Sequence, residues 1–190
     1  MNLRKIATRR PLKLLFLVLT SMLIATASAA VYYSMLMQPA VAITGAPIRF
    51  AQGNDWPSGS TMGTNQTWVS LALKAYPNVT LIYEQPLNVS NTDSASHTFR
   101  LRHVSITPAN GNPDVGNFTF INFVVLNTAG LSQASFNYTT TGTTWNTPST
   151  TSYLTLPANT QWIIYVETKA VAGASGGIVA NIQIAVDVTE

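Results

Sequence analysis

Residues 178–188 read IVANIQIAVDV, and their alternation decides the fold class. Ile178, Ala180, Ile182, Ile184, Val186 and Val188 fall on one side of an extended chain. Val179, Asn181, Gln183, Ala185, Asp187 and Thr189 fall on the other. A period of two is that of a strand with one buried face, because successive side chains of an extended backbone point to opposite faces. The glycine-rich run 172–177 (AGASGG) makes a turn back to a second strand at 162–168.

Upstream, residues 117–127 (NFTFINFVVLN) are so rich in β-branched and aromatic side chains that they predict a strand buried on both faces at the sheet centre. Residues 98–106 (TFRLRHVSI) put Phe99, Leu101 and His103 on one face and Arg100, Arg102 and Val104 on the other. Further strands are expected at 69–75, where a short helix is the alternative, and at 79–83, 136–139 and 153–156, with 87–89 as a continuation or edge. Ser90 to Ser96, Pro108 to Gly116 and the Thr-rich stretch up to Thr151 read as loops. Seven to ten short strands, no long helical pattern and no repeat predict one antiparallel β-sandwich, jelly-roll-like.

The N-terminal end is different in kind. Residues 14–37 carry no charge and follow Arg4, Lys5, Arg9, Arg10 and Lys13, the pattern of a positively charged region ahead of an export segment. Small residues at 27–30 suit a signal peptidase, so cleavage is expected after Ala29 or Ala30 and the product is expected outside the cell. An uncleaved anchor reaching Met37 is the alternative, since the run has the ~20-residue span of a bilayer. The domain expectation is 1–30 leader, 31–51 apolar extension and 52–190 sandwich. The extension holds a single charge, Arg49, and its Pro39, Gly45 and Pro47 exclude a long helix. Val41 and Ile43, then Ile48 and Phe50, alternate as strand residues do. Either this extension is the first strand of its own sheet, or it is donated to a neighbouring copy as an added strand.

Charge narrows the function classes. Five of the ten basic residues precede residue 31, leaving five against seven acidic residues, a net charge of −2. Such a domain has no basic footprint for nucleic acid. With only 9% of the whole chain charged, the surface must be made by Thr, Ser, Asn and Gln. There is no cysteine, so neither disulfides nor thiolate chemistry enter.

No catalytic, cofactor or metal motif stands out. His97 lies in a polar stretch and His103 on a strand face; no nucleophile elbow accompanies them. Asp93 and Asp114 lack the spacing of a calcium loop. Arg100 and Arg102 are expected to pair across the sheet with Glu84 or Glu167. Trp56, Trp68, Trp145 and Trp162 would form a sugar-stacking platform if aligned, although core or interface use is the commoner fate of such rings. Five N-x-[ST] sequons occur, at Asn65, Asn78, Asn88, Asn117 and Asn137, and are usable by N-linked glycans in an exported protein. Asn65, Asn88 and Asn137 fall in or beside expected loops.

A secretory leader, an apolar extension, a cysteine-free Thr/Ser/Asn-rich β-domain and several sequons together resemble archaeal thread and bundling-pilus subunits, which are similar to bacterial biofilm-matrix fibre proteins of the TasA kind. The resemblance is one of architecture and no motif anchors it. It implies a homopolymer joined head to tail by donated strands, with Val41, Ile43, Ile48 and Phe50 as plug residues and sugars on the five sequons. A membrane-anchored surface ectodomain or surface-layer accessory protein is the alternative, and a secreted carbohydrate-binding module a further one.

Overall fold

Eleven strands run through the described residues: β1 (Ile48–Gln52), β2 (Thr61–Met62), β3 (Trp68–Lys74), β4 (Thr80–Asn91), β5 (His97–Pro108), β6 (Phe118–Leu126), β7 (Ser132–Thr140), β8 (Trp145–Asn146), β9 (Leu154–Leu156), β10 (Gln161–Ala170) and β11 (Val179–Thr189). The structure is a computed structural model describing residues 13–21, 45–108, 115–141, 144–174 and 179–189. Two units divide the chain, Met1–Thr44 and Gly45–Glu190. In the first, residues 13–21 are helical, with Leu14, Leu15, Phe16, Leu17, Val18 and Leu19 exposed. Among the described residues no helix is long and apolar enough to cross a membrane. The cleavage pair Ala29 and Ala30, and Val41 and Ile43, lie outside the described residues.

The second unit is an all-β sandwich of two antiparallel sheets. One has the order β1-β4-β10-β6-β7-β8 and the other β2-β3-β11-β5-β9. As the alternation predicts, Ala180, Ile182, Ile184 and Val186 of β11 are buried. They share one core with Leu71 of β3, Leu101 of β5, Phe123 of β6 and Ile164 of β10. Phe123, Phe136 and Tyr138 meet edge to face, with centroids 5.5–6.1 Å apart, the arrangement the ring quadrupoles favour.

Several expectations need correction. Ile48 and Phe50 are not held out for a neighbour: β1 pairs with β4 from Ile48↔Asn91 to Gln52↔Leu87, and both side chains are buried in the chain's own core. The sandwich therefore starts at Gly45 rather than at residue 52. β6 does neighbour β10 near the sheet centre, but only Phe118, Ile121, Phe123 and Val125 are buried. Its other face is half-covered. Of the two readings of 87–89, continuation holds and edge does not: β4 runs from Thr80 to Asn91 through Pro86, between β1 and β10. Proline donates no ladder hydrogen bond, and β4 itself bulges there: between Leu87↔Ile164 and Tyr83↔Val166 it sets Glu84, Gln85 and Pro86 against the single Tyr165 of β10. The Thr-rich stretch up to Thr151, expected as a loop, includes the short strand β8.

The β6–β7 turn is built by Asn127, whose side-chain oxygen accepts from Ala129 N and Leu131 N at 3.0 Å each. Gly130 completes it at φ 74°, a left-handed conformation that costs glycine little.

Candidate functional site

The two flanks of the sandwich are finished differently. On the β1/β3 flank the margins are closed by side chains and a loop. Phe50 N donates to Gln66 O (2.8 Å), Ala72 N to Ser60 Oγ (2.9 Å) and Lys74 N to Tyr83 Oη (3.0 Å).

On the opposite flank the chain crosses from one sheet to the other. It leaves β7 through β8, paired at Thr139 and Thr140, meets Leu101 through Thr151 at 3.0 Å, and joins β5 as β9 along His97–Phe99. Each margin is thus only part-covered. Among the described residues, 132–138 of β7 and 102–107 of β5 have a strand on one side alone. Unpaired N–H and C=O groups along such a margin are a template for another strand.

The two margins are not equally guarded. Both strands carry a bulge, at Val104 of β5 and at Gln133 of β7, and what β5 adds is the charge of Arg102, a usual device against strand addition. β7 reads SQASFNY over 132–138, with no charge and no proline. Gln133, Ser135 and Asn137 are exposed, while Phe136 and Tyr138 anchor the strand in the core.

Between these margins His103 Nδ1 and Tyr138 Oη lie 2.9 Å apart and join the sheets. Burial pushes the His103 pKa below its ordinary 6.5 and the Tyr138 hydroxyl far above its own. His97 meets Asp93 at 2.8 Å, and Ser94 donates to that carboxylate, not to the ring, so among the described residues no hydroxyl is hydrogen-bonded to the histidine. Among the described residues no three His, Cys, Asp or Glu gather as a metal site. Asp114 lies outside them.

Arg100 and Arg102 do form cross-strand ion pairs, but with Asp187 of β11 (3.4 and 3.1 Å), not with Glu84 or Glu167. Asp187 is opposite Arg100 in register, which places it closer than either glutamate's sheet. Hydrogen bonding from Arg102 holds the Asp187 carboxyl below the usual carboxylate range, and that from His97 does the same for Asp93.

All three shifts have one sign. The unfolded chain binds more protons at each site, so stability is full above about pH 6.5 and declines on acidification, first through His103 and then through the carboxylates. Melting temperature measured from pH 8 to 3 should fall in those two stages. His103→Gln should flatten the first stage and leave the second.

The four tryptophans make no platform. Trp162 is buried edge to face on Phe99, Trp145 packs on Phe118 at 5.5 Å, and Trp56 leans on the core. Trp68 alone of the four is exposed. The sequons also separate. Asn65, Asn78 and Asn137 are exposed, whereas Asn88 is 3% and Asn117 9% exposed. The Asn88 amide donates to Gln52 O and accepts from Gln85, so the expectation of an accessible loop at Asn88 is corrected: it lies inside β4.

The chain matches no protein-family model and no curated protein. Among solved structures it is similar to the enzymatically active domain of tailspike protein 4 of bacteriophage CBA120, with 14% identity and a TM-score of 0.30. That similarity covers 77% of this chain and 20% of that one. A likeness so slight bears on neither activity nor partners.

Proposed function

We propose that the chain is a structural subunit of an extracellular filament, exported by its N-terminal leader and assembled by strand addition between copies, and that it is not an enzyme. The observation that carries this reading is the uncharged, proline-free margin of β7. Main-chain pairing along it would give affinity, and alternate side chains would set the register. A contact between two different patches of the same subunit propagates without closing. With β1 already in its own sheet, the donated strand falls before Gly45, in the charge-free run that contains Val41 and Ile43.

The chain has no cysteine of its own, which makes cross-linking a clean test. Val41→Cys combined in turn with Gln133→Cys, Ser135→Cys or Asn137→Cys should give an oxidised ladder of multiples on a non-reducing gel. Monomer alone in all three combinations, or an equal ladder with Lys74→Cys as the partner, would refute the assignment.

Sugars on a charge-poor surface would keep such a fibre hydrated. Glycopeptide masses should show increments at Asn65, Asn78 and Asn137 and none at Asn88 or Asn117, where the amides are buried.

A membrane-anchored ectodomain is the second reading, favoured by the exposed apolar helix at 13–21. It leaves the open β7 margin without a use.

A further inference from the structure

Across the outer face of the second sheet, Trp68, Ala185 and Arg102 stand in one row on β3, β11 and β5. The small Ala185 between two large side chains forms the floor of a groove of about 450 Å³, with Trp68 as one wall and Arg102 and Val104 as the other. Gln183 and Asp187, two residues either side of Ala185, stand at its ends. Its size falls in the ~300–1,000 Å³ range of small-ligand sites.

The Trp68 indole is held in place by a specific device. A Cβ built on Gly63 would lie 2.7 Å from both Cδ1 and Cε2, with Nε1 nearer still, which puts Gly63 directly over the plane of the pyrrole ring. One ring face is therefore stacked on backbone that only glycine leaves bare. The residue remains 36% exposed and lines the groove.

The polar groups are fixed too. Asp187 is held by Arg102 Nε at 3.1 Å and Nη2 at 3.2 Å, and Ser105 Oγ donates to Gln183 Oε1 at 3.2 Å, while that amide's N–H₂ has no partner among the described residues. Arg100 is engaged by Asp187 and lies over the Tyr153 ring at 5.1 Å.

We infer that this groove binds a neutral hexopyranose. A flat indole meets the apolar C–H face of a sugar ring, and a carboxylate with an amide donor at the ends accepts from and donates to ring hydroxyls. Of the charged side chains lining the groove, Arg102 and Asp187 pair one to one and cancel, while Arg100, the second partner of Asp187, lies outside the lining and over Tyr153. The groove lies on a different sheet from β7, and the inference stands or falls apart from the assembly reading.

The test is NMR of the ¹⁵N-labelled chain titrated with methyl β-D-glucopyranoside, methyl β-D-galactopyranoside and methyl α-D-mannopyranoside, and with methyl β-D-glucuronoside as the anionic probe. At least one neutral hexoside should shift the Trp68 indole N–H signal, assigned by its absence in Trp68→Phe, to saturation. Trp68→Ala should weaken the shift of the Gln183 side-chain signals at least tenfold at unchanged melting temperature. Gly63→Ala, which displaces the indole but keeps every polar group, should do the same. Should Gly63→Ala not fold, Trp68→Leu serves in its place. No shift with any neutral hexoside, an equal shift in Trp68→Ala, or a response to the glucuronoside alone would overturn the inference.

Discussion

Phe50→Ala lowers the unfolding free energy of the β-domain by about 3–5 kcal/mol, the cost of truncating a fully buried aromatic, in a urea titration followed by tryptophan fluorescence. Phe50 is 1% exposed and its strand is laddered to β4 through Phe50↔Val89. Truncation leaves a cavity beneath a margin whose own closure uses Phe50 N. Deleting residues 31–44 behind an intact leader should leave the same titration unchanged while abolishing surface fibres. The two variants separate the roles of adjoining segments. An unchanged midpoint for Phe50→Ala would put β1 back among donated strands, and normal fibres after the deletion would end the assembly reading.

Asn91→Ala should cost about 3 kcal/mol or more, since burying each orphaned polar group costs roughly 1–3 kcal/mol. Asn91 is 1% exposed. Its two amide hydrogens are shared among Ala95 O (2.8 Å), Pro157 O (3.0 Å) and Leu156 O (3.1 Å), while its oxygen accepts from Asp93 N at 3.0 Å. One side chain thus ties the β4–β5 loop to the β9–β10 turn. Equilibrium unfolding checks the magnitude, and Asn91→Asp, which keeps the acceptor and loses the donors, should recover little of the loss. A change below 1 kcal/mol would mean that water replaces these bonds.

How much of this was legible in the sequence follows from the range of the interactions. The β11 alternation is a local signal and gives the strand, its buried face and the all-β class directly, as do Val69, Leu71 and Leu73 on β3. The inward placing of Phe99, Leu101 and His103 was legible for the same reason.

Pairing is not local. Asp187 is the partner of Arg100 and Arg102 only because β11 lies beside β5, a neighbour relation that spans more than eighty residues and has no trace in spacing. The role of Asn91 was hidden likewise: in a run of Asn, Ser and Thr it reads as one more turn residue, and its acceptors are carbonyls supplied by a turn far along the chain. Continuation of 79–83 into 87–89 is one of two readings the residues leave open, and spacing alone does not choose between them: the bulge at 84–86 that carries β4 past Pro86 shows only against β10. Of the candidate assembly edge, half was readable. The absence of charge in SQASFNY is on the page, but that this stretch lies at a sheet margin depends on strand order.

The unequal guarding of the two margins bears on the shape of anything these domains build. In the assembly proposed above, a module with one receptive side and one refused side would have a valency of one for incoming strands, so growth would be linear and directional, and branching would require a second receptor that β5 withholds. Relieving that refusal by Arg102→Thr would trade a thread for a mesh.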